Sequence, residues 1–241
     1  MSLFFSLILI FILTLVGGGL PLLSGHLQKG MTPLLAFTGS FLLGITLVDL
    51  IPSVFHTLGA SAGIGILVGY FLQLMLQLFS HGMEHSHLPS QDLSHHVLGS
   101  LLFGLSLHAF LEGIPLGYPY ANPAVLPALT AGVAFHKIPE AMTLMTVLSL
   151  RPMQKSIQWL ILLCFALVTP VASLFSIWSE QQWNALQLVM PWIIAGVSGS
   201  FLHIATTILF ESGTQRHRFT RWKWLALLLG LVLSLSSMLI D

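Results

Sequence analysis

The chain has 241 residues, of which 55% are hydrophobic and only 7% are Asp, Glu, Lys or Arg. Soluble domains carry roughly 25% charged residues, so the composition excludes a soluble protein and indicates an integral membrane protein in contact with the lipid bilayer. The formal net charge of zero gives no sign of a nucleic-acid partner, and the single cysteine, Cys164, excludes an intrachain disulfide.

Eight segments of the chain have the length of a membrane-spanning helix, which needs about 20 apolar residues. The first has neither a basic n-region nor a small-residue cleavage site, so we interpret it as an uncleaved span rather than a signal peptide. The predicted spans 1 to 8 cover residues 3–23, 33–55, 62–80, 97–118, 124–149, 156–178, 186–210 and 222–240.

The basic residues predict how these spans are oriented. Seven of the eight lie in the loops after spans 1, 5 and 7, and the eighth is Lys137 within span 5. By the positive-inside rule the odd-numbered loops are cytoplasmic and both termini are extracytoplasmic. An even number of spans agrees with this orientation.

Spans 2 and 7 contain similar sequences. Span 2 reads GSFLLGITLVDLIPS from Gly39, and span 7 reads GSFLHIATTILFESG from Gly199. Chance similarity of apolar sequence is one explanation. The two spans are predicted to run in opposite directions, however, and this is typical of the inverted repeats of transporters. Spans 1–3 would then correspond to spans 6–8, with spans 4 and 5 between them.

Two histidine–glutamate pairs with the same spacing lie within the predicted spans. Span 4 contains HAFLEGIPLG, with His108 and Glu112, and span 5 contains HKIPEAM, with His136 and Glu140. Residues i and i+4 of a helix lie on one face, so each pair presents an imidazole and a carboxylate from the same stripe. If the two helices are antiparallel neighbours, four ligands can converge on one point.

This set of ligands suits a divalent cation. Imidazole and carboxylate groups bind Zn²⁺ and other first-row metals, and a dication nearly cancels the charge of two glutamates. Ionisable groups in a bilayer cost a few kcal/mol each and usually mark function; a structural ion pair is the alternative for any one of them. The ionisable residues within the spans are Asp49, His108, Glu112, His136, Lys137, Glu140 and His203, with Glu211 near a span end.

The two motifs together resemble spans 4 and 5 of the ZIP (Zrt/Irt-like) family of divalent metal transporters. FLLGITLVDLIP is similar to that family's span 2, and FLQLMLQLFSHGMEHSH is similar to its span 3 and the histidine-bearing cytoplasmic loop that follows. The resemblance covers nearly the whole chain and implies one all-α transporter domain over residues 1–241, with eight transmembrane helices in a 3+2+3 inverted repeat. Its parts are repeat 1 at about 1–80, the loop at about 81–96, central helices 4 and 5 at about 97–149, and repeat 2 at about 156–241.

The resemblance also implies that the transport site is formed by His108, Glu112, His136 and Glu140. The chain departs from many members at three positions that help to build a second metal site there. It has Ala109 instead of asparagine, Lys137 instead of a carboxylate or asparagine, and Thr169 instead of glutamate. We therefore hypothesise a single metal ion, with the ammonium group of Lys137 occupying the second-metal position.

Three further residues each have two open interpretations. Asp49 in span 2 stands where the family often has a residue of the metal path, so it serves either the pathway or a structural hydrogen bond. His203 in span 7 is either a core histidine bonded to a backbone carbonyl or a ligand. Glu211 is either a helix-end residue at the cytoplasmic surface or part of an exit site.

The third loop, SHGMEHSHLPSQDLSHHVL, is rich in potential metal ligands. Segments dense in histidine bind borderline metals. This loop therefore either captures or senses released metal, or it is a solvated polar loop that binds none. Its candidate ligands are His81, Glu84, His85, His87, His95 and His96.

Together these features predict a transporter, not an enzyme, that moves Zn²⁺ or a similar first-row metal into the cytoplasm without a prosthetic group. Fe²⁺, Mn²⁺, Co²⁺ and Cd²⁺ stay open as cargo because the ligand types alone are permissive. A multi-span zinc-dependent hydrolase and a membrane metal sensor without flux are the alternatives. The lean loops suggest a bacterial inner (plasma) membrane, and the resemblance points to a homodimer.

Overall fold

A computed structural model of the chain describes residues 2–23, 28–79, 95–120, 125–182, 184–214 and 220–236. Throughout this part of the chain the regular structure is helical, as the composition predicts. A 3₁₀ turn, Gly59–Ser61, separates α3 from α4. The α-helices are α1 (Leu3–Leu23), α2 (Gln28–Ile45), α3 (Ile51–Leu58), α4 (Ala62–Phe79), α5 (His95–Leu116), α6 (Val125–Ser149), α7 (Lys155–Gln182), α8 (Asn184–Thr214) and α9 (Arg221–Leu235).

Five helical stretches of the described chain are long and apolar enough to cross a membrane. The 47-residue stretch Thr32–Leu78 contains predicted spans 2 and 3 together. Predicted spans 5 and 8 form α6 and α9, which are not among the five, because α6 carries Lys137 and Glu140 and only 15 residues of α9 are described. The chain is a multi-pass membrane protein, and its eight-span arrangement stays a prediction. The five stretches are Leu3–Leu22, Thr32–Leu78, His96–Leu116, Lys155–Ser179 and Leu188–Phe210.

Two local features interrupt and then end the helix of predicted span 2. Helix α2 runs into a π-helical turn, Thr46–Leu50, where the N–H of Ile51 donates to the carbonyl of Thr46. Pro52 follows and has no N–H for the carbonyl four residues before it, so a regular α-helix is interrupted here. Helix α3 then stops at Gly59, whose φ of 58° lies in the left-handed region that favours glycine. This is where the chain leaves predicted span 2 and starts towards span 3.

Apart from the short helix α3, the described α-helices pack as two groups. In the ligand-bearing group (α1, α5, α6 and α7), α6 packs along α1 and α5 packs along α7. In the supporting group (α2, α4, α8 and α9), α4 packs along α8 and α2 packs along α9. Contacts between the groups are less extensive, the largest being that of α2 with α6. The two helices that carry the His–Glu pairs are therefore held by α1 and α7.

Small residues allow the close packing of α5 on α7. Gly113 faces Thr169, and Gly117 faces Ser173 one turn later on both helices. A Cβ at either glycine would overlap the backbone of α7. The two helices therefore run in the same direction and touch along their length, which fixes the position of α5.

Two apolar clusters flank the polar middle of α6. Leu129 and Val133 belong to a cluster on the N-terminal half of the helix. Leu144 and Leu148 belong to another on its C-terminal half. The ionisable residues of α6 therefore lie between two apolar clusters.

Gly69→Ala should lower the thermal stability of the protein, because α4 and α8 touch there without room for a side chain. A Cβ at position 69 would overlap the backbone of Gly196, and overpacking typically costs about 1–3 kcal/mol. Gly63→Ala on the same helix is the control, since a Cβ there meets no described atom within 4 Å. In thermal unfolding of the detergent-solubilised protein, the midpoint should fall for Gly69→Ala only; equal midpoints would contradict this packing.

Candidate metal centre

The four side chains of the two His-x-x-x-Glu motifs meet between α5 and α6. His108, Glu112 and Glu140 are 1% exposed and His136 is 2% exposed. The two residues of each pair lie one helical turn apart. His108 and Glu112 are on α5, and the other pair is on α6. The structure thus brings the four residues together, as the helical spacing predicts; that they bind a metal stays a prediction.

One donor atom of each side chain faces a shared centre. His108 Nε2 lies 3.1 Å from Glu112 Oε1, 3.4 Å from His136 Nε2 and 4.0 Å from Glu140 Oε1. His136 Nε2 lies 3.6 Å from Glu112 Oε1. Donor atoms of His108, His136 and Glu140 all lie within 4.8 Å of one another. These three donor atoms are close enough for a single cation to lie among them, and Glu112 Oε1 lies next to both imidazoles.

Lys137 lies on the other side of the two carboxylates. Its Nζ is 2.6 Å from Glu112 Oε2 and 2.5 Å from Glu140 Oε2. Nζ also lies 5.0 Å from the centroid of the Phe165 ring. Each glutamate therefore presents Oε1 to the imidazoles and Oε2 to the ammonium. The lysine is 1% exposed, so the whole ion-pair network is inside the protein.

Three carboxylate oxygens of the site make no hydrogen bond to the residues that the structure describes: both oxygens of Glu112 and Oε1 of Glu140. Glu112 Oε2 is nevertheless ion-paired with Lys137, and Glu112 Oε1 lies 3.1 Å from His108 Nε2. An unsatisfied buried carboxylate oxygen is costly. The two imidazole Nε2 atoms face each other at 3.4 Å, so at most one of them can donate to the other. A bound cation would give Glu112 Oε1 and Glu140 Oε1 a positively charged partner, so the arrangement is compatible with a metal site.

Helix α7 supports this site without supplying any of the four side chains. Thr169 Oγ1 donates a 3.0 Å hydrogen bond to the carbonyl of Ala109, the residue after His108. Phe165, one turn earlier on α7, packs its ring against Lys137. Sequence reasoning missed both contacts. In the sequence Phe165 looks like any other apolar residue of a predicted span. Nothing in the sequence indicates which residue Thr169 contacts.

The three residues with open interpretations are not among the side chains that converge on the shared centre. Asp49 is 8% exposed within the π-helical turn, and its place in a metal path stays a prediction. His203 Nε2 lies 2.8 Å from Gln77 Oε1, so it contacts a side-chain amide of α4 and not the backbone carbonyl of the core interpretation; whether it is a ligand stays untested. Glu211 belongs to α8, but its side chain is outside the described part of the chain.

Most of the histidine loop is outside the described residues, which resume at residue 95. His95 and His96 are the first two residues of α5, so the helix begins before the predicted end of the loop at residue 96. Metal binding by the loop stays a prediction. The part that is not described contains His81, Glu84, His85 and His87.

Comparison with known proteins gives a family match in the region of the site. A family model described as ZIP Zinc transporter matches residues 80–238. The matched region is most of the chain, includes both His-x-x-x-Glu pairs and extends through helices α5 to α9. No curated protein matches the chain.

Proposed function

This chain belongs to the ZIP zinc transporter family, and on that basis we propose that it carries Zn²⁺ or a similar first-row divalent cation into the cytoplasm. One observation supports the proposal more than any other. Two imidazole nitrogens and two carboxylate oxygens, all buried, converge between α5 and α6. The proposed transport site consists of His108, Glu112, His136 and Glu140.

The ligand types of the proposed site favour zinc over manganese. Imidazole nitrogens suit Zn²⁺, and the affinity of a mixed nitrogen and oxygen site for divalent first-row metals rises from Mn²⁺ to Co²⁺. Two imidazoles and two carboxylates are also a common set of four ligands for Zn²⁺. We therefore expect Zn²⁺ and Co²⁺ to bind better than Mn²⁺.

We propose that the site holds one metal ion. The ammonium of Lys137 lies between the second oxygens of both glutamates, and the family resemblance would put a second metal ion at this position. The other two departures from the binuclear pattern, Ala109 and Thr169, also agree with a single metal ion. Neither side chain offers a carboxylate or an amide, and the Thr169 hydroxyl donates to the Ala109 carbonyl. A dication and an ammonium thus share two carboxylates from opposite sides.

We further propose the eight-span, 3+2+3 inverted repeat with both termini extracytoplasmic. In this repeat α1, α2–α3 and α4 correspond to α7, α8 and α9, and α5 corresponds to α6. The packed pair α1–α6 is then the counterpart of the pair α7–α5. In the same way, the pair α4–α8 is the counterpart of the pair α9–α2. All four pairs pack extensively, which supports the repeat. Ser40 faces Gly230 and Gly44 faces Ser234, so α2 and α9 run in the same direction, as two even-numbered spans should.

Transport requires the buried site to open to each side of the membrane in turn. We infer that the ligand-bearing group moves as a unit against the supporting group, because α5 and α6 pack more extensively on α7 and α1 than on the supporting helices. Between the groups, Phe37 and Phe41 of α2 contact Phe135 of α6 edge to face, at ring-centroid distances of 5.1 and 5.9 Å. Such apolar contacts can slide without breaking hydrogen bonds.

The membrane potential supports the proposed direction of transport. A negative-inside potential favours influx of a dication by about 4–5 kcal/mol per 100 mV. We place the protein in a bacterial inner membrane and route released metal past the histidine loop. The homodimer to which the family resemblance points stays a prediction.

Zinc influx into proteoliposomes that contain the purified full-length protein tests this function. We expect saturable uptake that increases with a negative-inside potential, and stronger inhibition by Co²⁺ than by Mn²⁺. Zinc binding without influx would support a metal sensor instead. Hydrolysis of a lipid or peptide by the zinc-loaded protein, without influx, would support the hydrolase.

A further inference from the structure

The pocket around the Lys137 ammonium is built from groups on three helices. We call it the ammonium slot; it consists of Glu112 Oε2 on α5, Glu140 Oε2 on α6 and the Phe165 ring on α7. The two oxygens lie 2.6 and 2.5 Å from Nζ, and the ring centroid lies 5.0 Å away. An ammonium has three N–H donors, and the slot offers two carboxylate oxygens and one aromatic face.

We propose that Phe165 is a specificity-determining residue whose ring makes this slot selective for an ammonium group and thereby excludes a second metal ion. An aromatic face attracts an ammonium but has no lone pair to coordinate a metal. A divalent metal in the slot would lose its water and gain only two oxygens, which is too few for the coordination that such ions require. The role of the slot in transport depends on the proposed function, whereas the contact of Lys137 with Phe165 does not.

Phe165 also acts on the transport site through Lys137, so it is a positioning residue. While the ring holds the ammonium in the slot, both Oε2 atoms are engaged and each glutamate has only Oε1 left for the cargo metal. A lysine that moved away would release both Oε2 atoms, and the glutamates could then chelate with two oxygens each. The ring thereby keeps the cargo site four-coordinate.

An ordinary core role is the competing explanation for Phe165. Its side chain is 4% exposed and belongs to the apolar cluster on the C-terminal half of α6. A core role depends on the size and shape of the side chain, whereas attraction to an ammonium depends on the electron density of the ring face. Fluorination separates the two, because it withdraws electron density and changes the shape only slightly.

The test incorporates phenylalanine with zero, one, two or three fluorine atoms at position 165 of the full-length chain. We expect the unfolding midpoint of the metal-free protein to fall stepwise with each fluorine. In a Lys137→Met background the same series should have no trend. The visible spectrum of bound Co²⁺, which is intense for four-coordinate ions and weak for six-coordinate ones, should weaken along the series with Lys137 only. A flat series, or the same trend with Met at position 137, would overturn the proposal.

A second measurement tests the selectivity of the slot for ammonium. Lys137→Ala removes three carbons and the amine, which n-propylammonium can replace. We expect n-propylammonium to raise the unfolding midpoint of metal-free Lys137→Ala saturably, and Phe165→Leu to weaken this binding about tenfold, within the range of a desolvated cation–π contact. Tetramethylammonium, which is too large, and K⁺ are the controls; equal stabilisation by K⁺, or none by n-propylammonium, would refute ammonium selectivity.

These outcomes are separable from those of the proposed function. Both measurements on unfolding are made without metal, so the slot can be confirmed even if zinc influx is absent. Conversely, zinc influx together with an unfolding midpoint that does not change along the fluorine series would support the proposed transport function and refute the proposed role of Phe165. If Lys137→Ala does not fold, the fluorine series with native Lys137 still gives a decision.

Discussion

His108→Ala is expected to reduce zinc influx into proteoliposomes at least 100-fold while the protein remains folded. His108 Nε2 lies within 4.0 Å of donor atoms from Glu112, His136 and Glu140, so its removal opens the shared centre. Loss of a group that only orients a metal ligand typically costs about 10- to 100-fold, and loss of a ligand itself should cost more. Glu140→Ala should have the same effect on influx. It should also destabilise the fold by about 3–5 kcal/mol, because it removes a partner of the buried Lys137.

His203→Ala is the matched control for this experiment. Like His108 it removes a buried imidazole from a helix, but His203 contacts Gln77 and is not part of the converging set. We expect this variant to retain most of the zinc influx, and both proteins should elute as monodisperse species from size-exclusion chromatography. Influx that survives His108→Ala but is lost in His203→Ala would place the transport site elsewhere.

The native protein is expected to bind one zinc ion per chain, and the triple variant Ala109→Asn, Lys137→Asp, Thr169→Glu is expected to bind two. The substitutions remove the ammonium from the second-metal position and add two carboxylates and an amide around it. The three substituted positions lie close to the proposed transport site, since Thr169 donates to the Ala109 carbonyl next to His108 and Lys137 contacts both glutamates. Isothermal titration calorimetry and elemental analysis of the purified proteins give the stoichiometry.

Lys137→Met is the control for the triple variant. It removes the ammonium without adding a ligand, so one zinc ion per chain is expected if the Phe165 ring keeps metal from the vacated slot. A second zinc ion that stays bound when the loop histidines His81, His85 and His87 are replaced by alanine would contradict the single-metal hypothesis. One zinc ion on the triple variant would show that these three positions do not build a second site.

The convergence of the four ligand-type residues could be predicted from the sequence because it depends on local geometry. Residues four apart in a helix share a face, so His108 and Glu112 point to the same side of their helix. One neighbouring helix with a similar pair is then enough to bring four ligand-type side chains together. The membrane class could likewise be predicted, since a chain with 7% charged residues cannot cover its surface with them. The family match over residues 80–238 agrees with the motifs that indicated it.

The contacts around the site could not be predicted, because they join helices that the sequence does not place next to each other. Phe165 and Lys137 meet only because α7 packs beside α6, and the partner of His203 depends on how α4 lies along α8. Hydropathy also gives an incomplete count of spans. Helix α6 owes its polar middle to the residues of the site, so the segment that is most important for function is the one that apolar length detects least well.

Anomalous diffraction from crystals of the zinc-loaded full-length protein tests the central claim most directly. Data collected above and below the zinc absorption edge should show one peak, about 2.0–2.2 Å from Nε2 of His108 and His136 and from the carboxylates of Glu112 and Glu140. Lys137 Nζ should still lie between the two carboxylates. Two peaks of full occupancy between α5 and α6, or a single peak away from these four residues, would contradict the account.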